Sequence, residues 1–142
     1  ALGNDCAVRD YEQNITTDNA RNPWIGNVAA NALVPSHVMS EETMEQYSYG
    51  GFFEGRFGGL TLLSLDTVIY SVSHVPSSGP VLPPDPFGQF EWLRSRLRAA
   101  VHEGRTAWIV GHIPPGLNTY SFTELWHREY LLTYRGIVED PE

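Results

Sequence analysis

The sequence predicts one α/β domain in which helices flank a layered sheet. Its 142 residues are a typical length for a single domain. From about residue 60 to residue 135, the clearest segments follow the order strand, long helix, strand, helix, which is typical of α/β folds. Hydrophobic residues make up 42% of the chain and charged residues 18%, a composition that excludes a disordered chain.

The first forty residues predict a strand end, a loop and two helices. Residues 1–3 are expected to close a strand that turns at Asn4, and the polar, aperiodic residues 5–22 predict a long loop. Between residues 23 and 35, apolar side chains recur at the spacing of one helix face. Ser40 is predicted to cap a short helix, because two glutamates follow it at the positive end of the helix dipole.

Two strands joined by a glycine-rich turn are predicted next. Residues 49–53 and 60–65 are rich in aromatic or apolar side chains, and residues 55–59 are expected to form the turn of a hairpin. The second strand is apolar on both faces, so we expect it at the centre of the sheet. Four prolines between residues 71 and 84 exclude that segment from a central strand.

The longest predicted helix begins at Asp85 and ends just before Gly104. Asp85 is its predicted N-cap, and Pro86 stands at the first helical position. The spacing of the apolar residues in this segment predicts one buried helix face, formed by Phe90, Leu93, Leu97, Ala100 and Val101.

A short strand and a last helix are predicted to follow. Residues 106–110 are apolar and are expected to form a buried strand that ends at Gly111. Ser121 and Glu124 have the spacing of a capping box, which predicts a helix from there to about Arg135.

Charge and cysteine usage exclude several classes of protein. A net charge of −8 argues against a nucleic-acid partner, and no apolar run is long enough for a transmembrane segment. Cys6 is the only cysteine, so no disulfide can form within the chain. The sequon Asn14-Ile15-Thr16 is a glycosylation acceptor if the protein is secreted, and ordinary surface polarity if it is not.

Two polar side chains, Asn4 and His112, follow predicted strand ends, where ligands of α/β sheets collect. An amide oxygen and an imidazole can both coordinate a divalent metal ion. By itself, an asparagine in such a place is more often a turn residue, and a histidine there is more often simply hydrogen-bonded. His112 is distinguished by its setting in residues 111–116, Gly-His-Ile-Pro-Pro-Gly, because two prolines stiffen the backbone behind the ring.

Four blocks in this order resemble those of the calcineurin-like metallophosphoesterases, and within them the acid sphingomyelinase-like phosphodiesterases. Residues 1–4 resemble the family's G-N-H-[DE] block. Residues 50–66 resemble its G-G-[FY]-[FY] … G-L-x-x-[IL]-S-L-[ND] hairpin. Residues 85–93 resemble its D-P-x-x-Q-[FL]-x-W-L helix start, and residues 111–116 its G-H-I-P-P-G metal loop.

The resemblance implies a layered metallophosphoesterase-type sheet with flanking helices, present only in part, and hydrolysis of phosphodiester bonds as in sphingomyelin phosphodiesterases. It implies two divalent metal ions, with zinc expected and iron or manganese as alternatives. Asn4 and His112 match metal ligands of the family. Asp5 stands where the family has its general-acid histidine, and Cys6 where it has an acid, so this block departs from the pattern. The expected substrate is a phosphodiester small molecule or lipid, in a secreted, lysosomal or vacuolar lumen.

The family's D-x-H, G-D and G-H-x-H ligand blocks do not occur in the chain. We therefore expect residues 1–142 to be the central portion of one catalytic domain, truncated at both ends and inactive by itself. Two other interpretations stay open: an endopolyphosphatase-like member of the same family, and a non-catalytic binding protein that retains the fold.

Overall fold

A computed structural model describes residues 1–6, 10–12, 31, 39–74 and 83–140. Three helices and a three-stranded sheet form this part of the chain and confirm the predicted α/β class. In chain order they are α1 (Glu41–Gly50), β1 (Phe53–Phe57), β2 (Leu60–Ser64), α2 (Gln89–His102), β3 (Thr106–Val110) and α3 (Arg128–Val138). The helix predicted between residues 23 and 35 and the sequon at Asn14 lie outside the described residues.

The centre of the sheet is β2, as its apolar sequence predicted. It pairs antiparallel with β1 and parallel with β3, so the carboxyl ends of β2 and β3 lie at the same edge. Leu63 of β2 is fully buried, and α2 packs against β2 and β3. Residues 1–3, predicted to end a strand, pair with none of the described strands, and Asn4–Cys6 form a 3-10 turn.

The boundary between α1 and β1 differs from the prediction. Ser40 caps α1 as expected, since its hydroxyl oxygen accepts a hydrogen bond from the backbone N–H of Thr43 at 3.2 Å. Residues 49 and 50, however, continue the helix, which ends because Gly51 adopts a left-handed conformation with φ of 78°. The strand starts only at Phe53, and the hairpin turn is confined to residues 58–59.

The start of α2 also differs from the prediction. Residues 86–88 form a separate 3-10 turn in which Phe87 and Gly88 both have positive φ, and the α-helix begins at Gln89. Asp85 nevertheless caps it: its carboxylate accepts from the backbone N–H of Phe90 at 2.8 Å and of Glu91 at 3.2 Å. The turn brings the carboxylate back over the first helical turn, so the capping role is kept although the boundary moves.

One side chain predicted on the buried face of α2 is exposed. Leu93 is 1% exposed and Phe90 and Ala100 are also buried, whereas Val101 is 73% exposed. Successive helical residues are rotated by about 100°, so Val101 lies on the same side of the helix as Phe90 but three turns further along, next to the last residue, His102.

The prediction that β3 is buried is wrong for the described part of the chain. Its side chains alternate between half-buried and exposed, and Trp108 is 60% exposed. Among the described strands, β3 lies at an edge of the sheet and packs one face against α2, which leaves its other face open.

The predicted capping box does not form. Asn118 accepts hydrogen bonds through Oδ1 from the backbone N–H groups of Tyr120 and Ser121, at 2.9 and 3.2 Å, and so makes a turn instead. Glu124 pairs with Arg128 at 3.1 Å, and α3 begins at Arg128.

No helix of the described residues is long and apolar enough to cross a membrane.

Candidate metal centre

Asn4 and His112 meet at the carboxyl edge of the sheet, as the sequence predicted. Their Oδ1 and Nε2 atoms lie 2.7 Å apart, although the two residues are separated by 108 positions. His112 is the second residue after β3, and Asn4 begins the first 3-10 turn. Because an amide oxygen can only accept, the imidazole Nε2–H donates in this hydrogen bond.

Asp10 orients the amide of Asn4. The Nδ2 of Asn4 donates to Oδ1 of Asp10 at 2.7 Å, which turns the amide oxygen toward the imidazole. The backbone N–H of Tyr11 also donates to the Asn4 carbonyl at 3.3 Å. Asp10 was missed in the sequence analysis, since it lies in an aperiodic segment with no spacing that marks it.

Gly3 allows the backbone to approach the ring of His112 closely. A Cβ atom at residue 3 would lie 3.3 Å from Cε1 of His112 and 3.4 Å from both ring nitrogens. Such contacts are tighter than ordinary van der Waals packing, so a larger side chain would displace the ring.

The loop that carries His112 is anchored on both sides of the next residue, Ile113. Its backbone N–H donates to Oγ1 of Thr67 at 2.8 Å, and its carbonyl accepts from Nε1 of Trp126 at 3.0 Å. Thr67 and Trp126 are both buried. A Cβ atom at Gly111 would come within 2.5 Å of the Thr67 methyl, so this glycine lets the loop pass directly over the threonine.

Asp66, two residues after the end of β2, is fully buried. Burial raises the pKa of its carboxyl group to about 7, although the backbone N–H of Val68 donates to Oδ1 at 3.3 Å and favours the charged form. A Cβ atom at Gly51 would lie 3.1 Å from Oδ2 of Asp66 and 2.6 Å from Leu2, so the left-handed glycine makes room for both side chains.

The donor set of the Asn4–His112 pair suits part of a metal site. One amide oxygen and one imidazole nitrogen are ligands that zinc, iron and manganese accept, and ligand atoms of one zinc each lie about 2.0–2.2 Å from the ion. Among the residues that the structure describes, no group of three or more His, Cys, Asp or Glu side chains is placed to hold a metal ion. The pair therefore fits as two ligands of a larger set.

Two other predicted site residues, Asp5 and Cys6, belong to the same 3-10 turn as Asn4. The backbone of Asp5 follows Asn4 in the 3-10 turn, while its side chain lies outside the described part of the structure. Cys6 is an exposed free thiol whose Sγ accepts from the backbone N–H of Gly3 at 3.4 Å.

The chain is similar in sequence to several phosphodiesterases. It is 37% identical over 91 residues to a protein of Dictyostelium discoideum named sphingomyelinase phosphodiesterase D, a match that covers 64% of this chain and 20% of the relative. It is 31% identical over 112 residues to sphingomyelinase phosphodiesterase C of the same organism, covering 73% and 24%. It is 28% identical over 111 residues to a cyclic GMP-AMP phosphodiesterase of Mus musculus, covering 76% and 21%.

These relatives are named as phosphodiesterases, which are hydrolases. The chain spans between a fifth and a quarter of the length of these relatives. No protein-family model matches it.

Proposed function

We propose that this chain is the central portion of the catalytic domain of a metal-dependent phosphodiesterase, of the acid sphingomyelinase-like branch of the calcineurin-like metallophosphoesterases. The observation that carries the proposal is the 2.7 Å contact between Asn4 Oδ1 and His112 Nε2 at the carboxyl edge of the sheet. The names of the relatives, sphingomyelinase and cyclic GMP-AMP phosphodiesterases, support the reaction class. Both names include the word phosphodiesterase, so the proposed substrate is a phosphodiester, either a small molecule or a lipid.

In this proposal Asn4 and His112 are two ligands of one divalent ion in a two-metal site. A bound ion supplies Lewis-acid polarisation of a phosphoryl oxygen. Ligation through Nε2 would require the neutral tautomer of His112 with its proton on Nδ1, because a ligating imidazole nitrogen is unprotonated. Asp10 then keeps the amide oxygen directed at the site, as partners of metal ligands generally do.

The protonation of the leaving group is assigned to Asp5 in this proposal. A carboxyl group can serve as a general acid where its surroundings raise its pKa toward the working pH. Asp5 follows Asn4 directly in the 3-10 turn and so lies beside the proposed ligands along the backbone.

We also propose a secreted, lysosomal or vacuolar location with glycosylation at Asn14. Its sequon supports this, and treatment of the native protein with an N-glycosidase should lower its mass. Unchanged mass after that treatment would argue against Asn14 as a glycosylation site.

The test is a comparison of His112→Ala with Asp5→Ala in the full-length protein. Bound zinc, iron and manganese are measured by elemental analysis on folded protein, alongside turnover of a chromogenic phosphodiester. His112→Ala should lose metal and turnover together, because it removes a ligand. Asp5→Ala should keep its metal and lose about 10²–10⁴-fold in turnover, the usual contribution of proton transfer.

His102→Ala is the matched control, since His102 is an exposed histidine at the end of α2. It should retain both metal and turnover. Full metal occupancy and near-normal turnover in His112→Ala would refute the ligand role. Wild-type protein that binds no metal and cleaves no phosphodiester would favour a binding protein that retains the fold.

A further inference from the structure

A short hairpin, residues 116–125, follows the loop that carries His112. Its base is closed by a hydrogen bond from the backbone N–H of Leu125 to the carbonyl of Gly116, 2.9 Å away. The next residue, Trp126, is buried and donates a hydrogen bond to the loop of His112. The hairpin is therefore held at its base to the same loop as the candidate metal ligand.

The tip of this hairpin exposes large apolar side chains. Tyr120 is 95% exposed, Phe122 is 78% exposed and Leu117 is 57% exposed. None of residues 113–123 is charged. Single exposed apolar side chains are ordinary on protein surfaces, but a cluster of them marks an interaction site. We call residues 116–125 the aromatic hairpin.

The backbone of the tip pairs its own polar groups. Oδ1 of Asn118 accepts from the N–H groups of Tyr120 and Ser121, and the N–H of Phe122 donates to the Asn118 carbonyl at 2.8 Å. The N–H of Asn118 donates to the carbonyl of Thr123 at 2.9 Å. A backbone N–H without an acceptor is costly in apolar surroundings, so these bonds allow the tip to leave water.

The ring of Phe122 is exposed at the expense of backbone strain. Phe122 has φ of 56°, which is uncommon for a residue with a side chain. Strain of this kind persists where the surrounding structure imposes it, and it is often found at functional sites. Burial in the described fold does not compensate for the strain, since the side chain is mostly in water.

The chemistry of the tip suits the interface between a bilayer and water. An exposure of 95% means that Tyr120 touches almost nothing else, so the tip projects from the fold. Aromatic rings with a polar end are favoured at the level of lipid headgroups. The hairpin has no cation before Arg128, and the net charge of −8 opposes anionic surfaces. A zwitterionic surface is therefore favoured over an anionic lipid or a nucleic acid.

We propose that the aromatic hairpin inserts its tip into the headgroup region of a zwitterionic phospholipid bilayer. Apolar area that leaves water supplies the attraction, in the way that amphipathic segments bind interfaces. The proposal goes beyond the proposed function and does not depend on it, because no metal ligand takes part. Since the base of the hairpin holds the loop of His112, binding would bring the carboxyl edge of the sheet close to the bilayer.

The test is sedimentation of the full-length protein with phosphatidylcholine vesicles. We expect the protein to sediment with the vesicles, and added phosphatidylserine should not increase the bound fraction, because the attraction is apolar. No binding to phosphatidylcholine would overturn the proposal. Binding that appears only with phosphatidylserine would also overturn it, since it would show electrostatic attraction instead.

Ring-removing variants assign the binding to the aromatic hairpin. Tyr120→Ser and Phe122→Asn should each lower the partition coefficient about fivefold to thirtyfold, because each removes a ring that leaves water on binding. Asparagine is chosen at position 122 because it tolerates positive φ. Phe57→Asn is the matched control: Phe57 is 61% exposed and pairs with Leu60 at the opposite end of the sheet. Equal losses in Phe57→Asn and Phe122→Asn would refute the assignment.

The tip must also be free in the full-length protein. Hydroxyl-radical labelling should modify Tyr120 without vesicles and be reduced when vesicles are present. Protection of Tyr120 without vesicles would show that another part of the protein covers the hairpin, and would overturn the proposal.

The outcome is separable from that of the metal site. Vesicle binding should persist in His112→Ala, so failure of the proposed phosphodiesterase function and failure of membrane binding are distinguishable. Thermal unfolding of each variant confirms that it is folded before its partition coefficient is compared.

Discussion

The hydroxyl oxygen of Thr67 accepts a buried hydrogen bond from the backbone N–H of Ile113, 2.8 Å away. This bond joins the segment after β2 to the loop after β3, directly beside His112. Position 67 therefore helps to fix the imidazole of His112 through the backbone of the residue that follows it.

Thr67→Val should release this anchor while keeping the shape of the side chain. A buried N–H left without an acceptor costs about 1–3 kcal/mol, so unfolding in urea should show a loss of that size. Hydrogen exchange of the Ile113 amide should become faster. Thr67→Ser keeps the acceptor and should retain slow exchange at Ile113; equally fast exchange in both variants would contradict the role of the hydroxyl.

Leu93→Ala and Val101→Ala test the orientation of α2. Leu93 is 1% exposed and Val101 is 73% exposed on the same helix. Leu93→Ala should lower the free energy of unfolding by about 2–5 kcal/mol, because it leaves a cavity in the core. Val101→Ala should change it by less than about 0.5 kcal/mol. Similar losses from the two substitutions would mean that the helix is rotated from the position described.

Asp66 should make the chain less stable as the pH rises from about 4 to about 7. Its pKa is raised by burial from an ordinary value of 3.8 to about 7, so between these values the folded state holds a proton that the unfolded state has released. The free energy of unfolding then falls with rising pH, by up to about 4 kcal/mol, and levels off above the folded pKa.

Asp66→Asn should remove this dependence, because the amide does not titrate and its oxygen can still accept from Val68. The measurement is urea unfolding of both proteins from pH 4 to pH 8, with the exposed Glu91→Gln as control. The difference between Asp66→Asn and the unmodified protein should grow through this window. A difference that is constant with pH would show that burial does not perturb Asp66.

The 142-residue chain by itself should hold no stoichiometric metal and have no phosphodiesterase activity. Asn4 and His112 are neutral ligands, so they supply no charge to offset the dehydration of a divalent ion. Zinc is measured after dialysis of the purified chain, and turnover is compared with that of the His112→Ala chain. One tightly held zinc per chain, or turnover above that of the variant, would contradict this expectation.

The local elements could be predicted because their signals are contained in short stretches of sequence. The apolar run of β2 and the capping side chains Ser40 and Asp85 keep their predicted roles. On α2, Phe90, Leu93 and Ala100 are buried as predicted. The proximity of Asn4 and His112 was also predicted, from the expectation that both follow strand ends, although only His112 follows a strand among the described residues.

Exposure and boundaries were decided by tertiary structure. Whether β3 is buried depends on what covers its second face, and periodicity within five residues carries no such information. Both β1 and α2 begin later than the apolar pattern predicted. The reason is that Gly51 and Gly88 adopt left-handed conformations just before them, which a regular strand or helix does not contain.

The sequence by itself determined the α/β class, the order of the elements and the two side chains that meet at the sheet edge. Only the tertiary structure decided how that edge is held: Asp10 turns the amide of Asn4, while Thr67 and Trp126 anchor the loop of His112. The physical reason is the range of the interactions. Periodicity and capping act over one or two turns of chain, whereas the anchors of Ile113 depend on a threonine 46 positions earlier and a tryptophan 13 positions later, which only packing brings together.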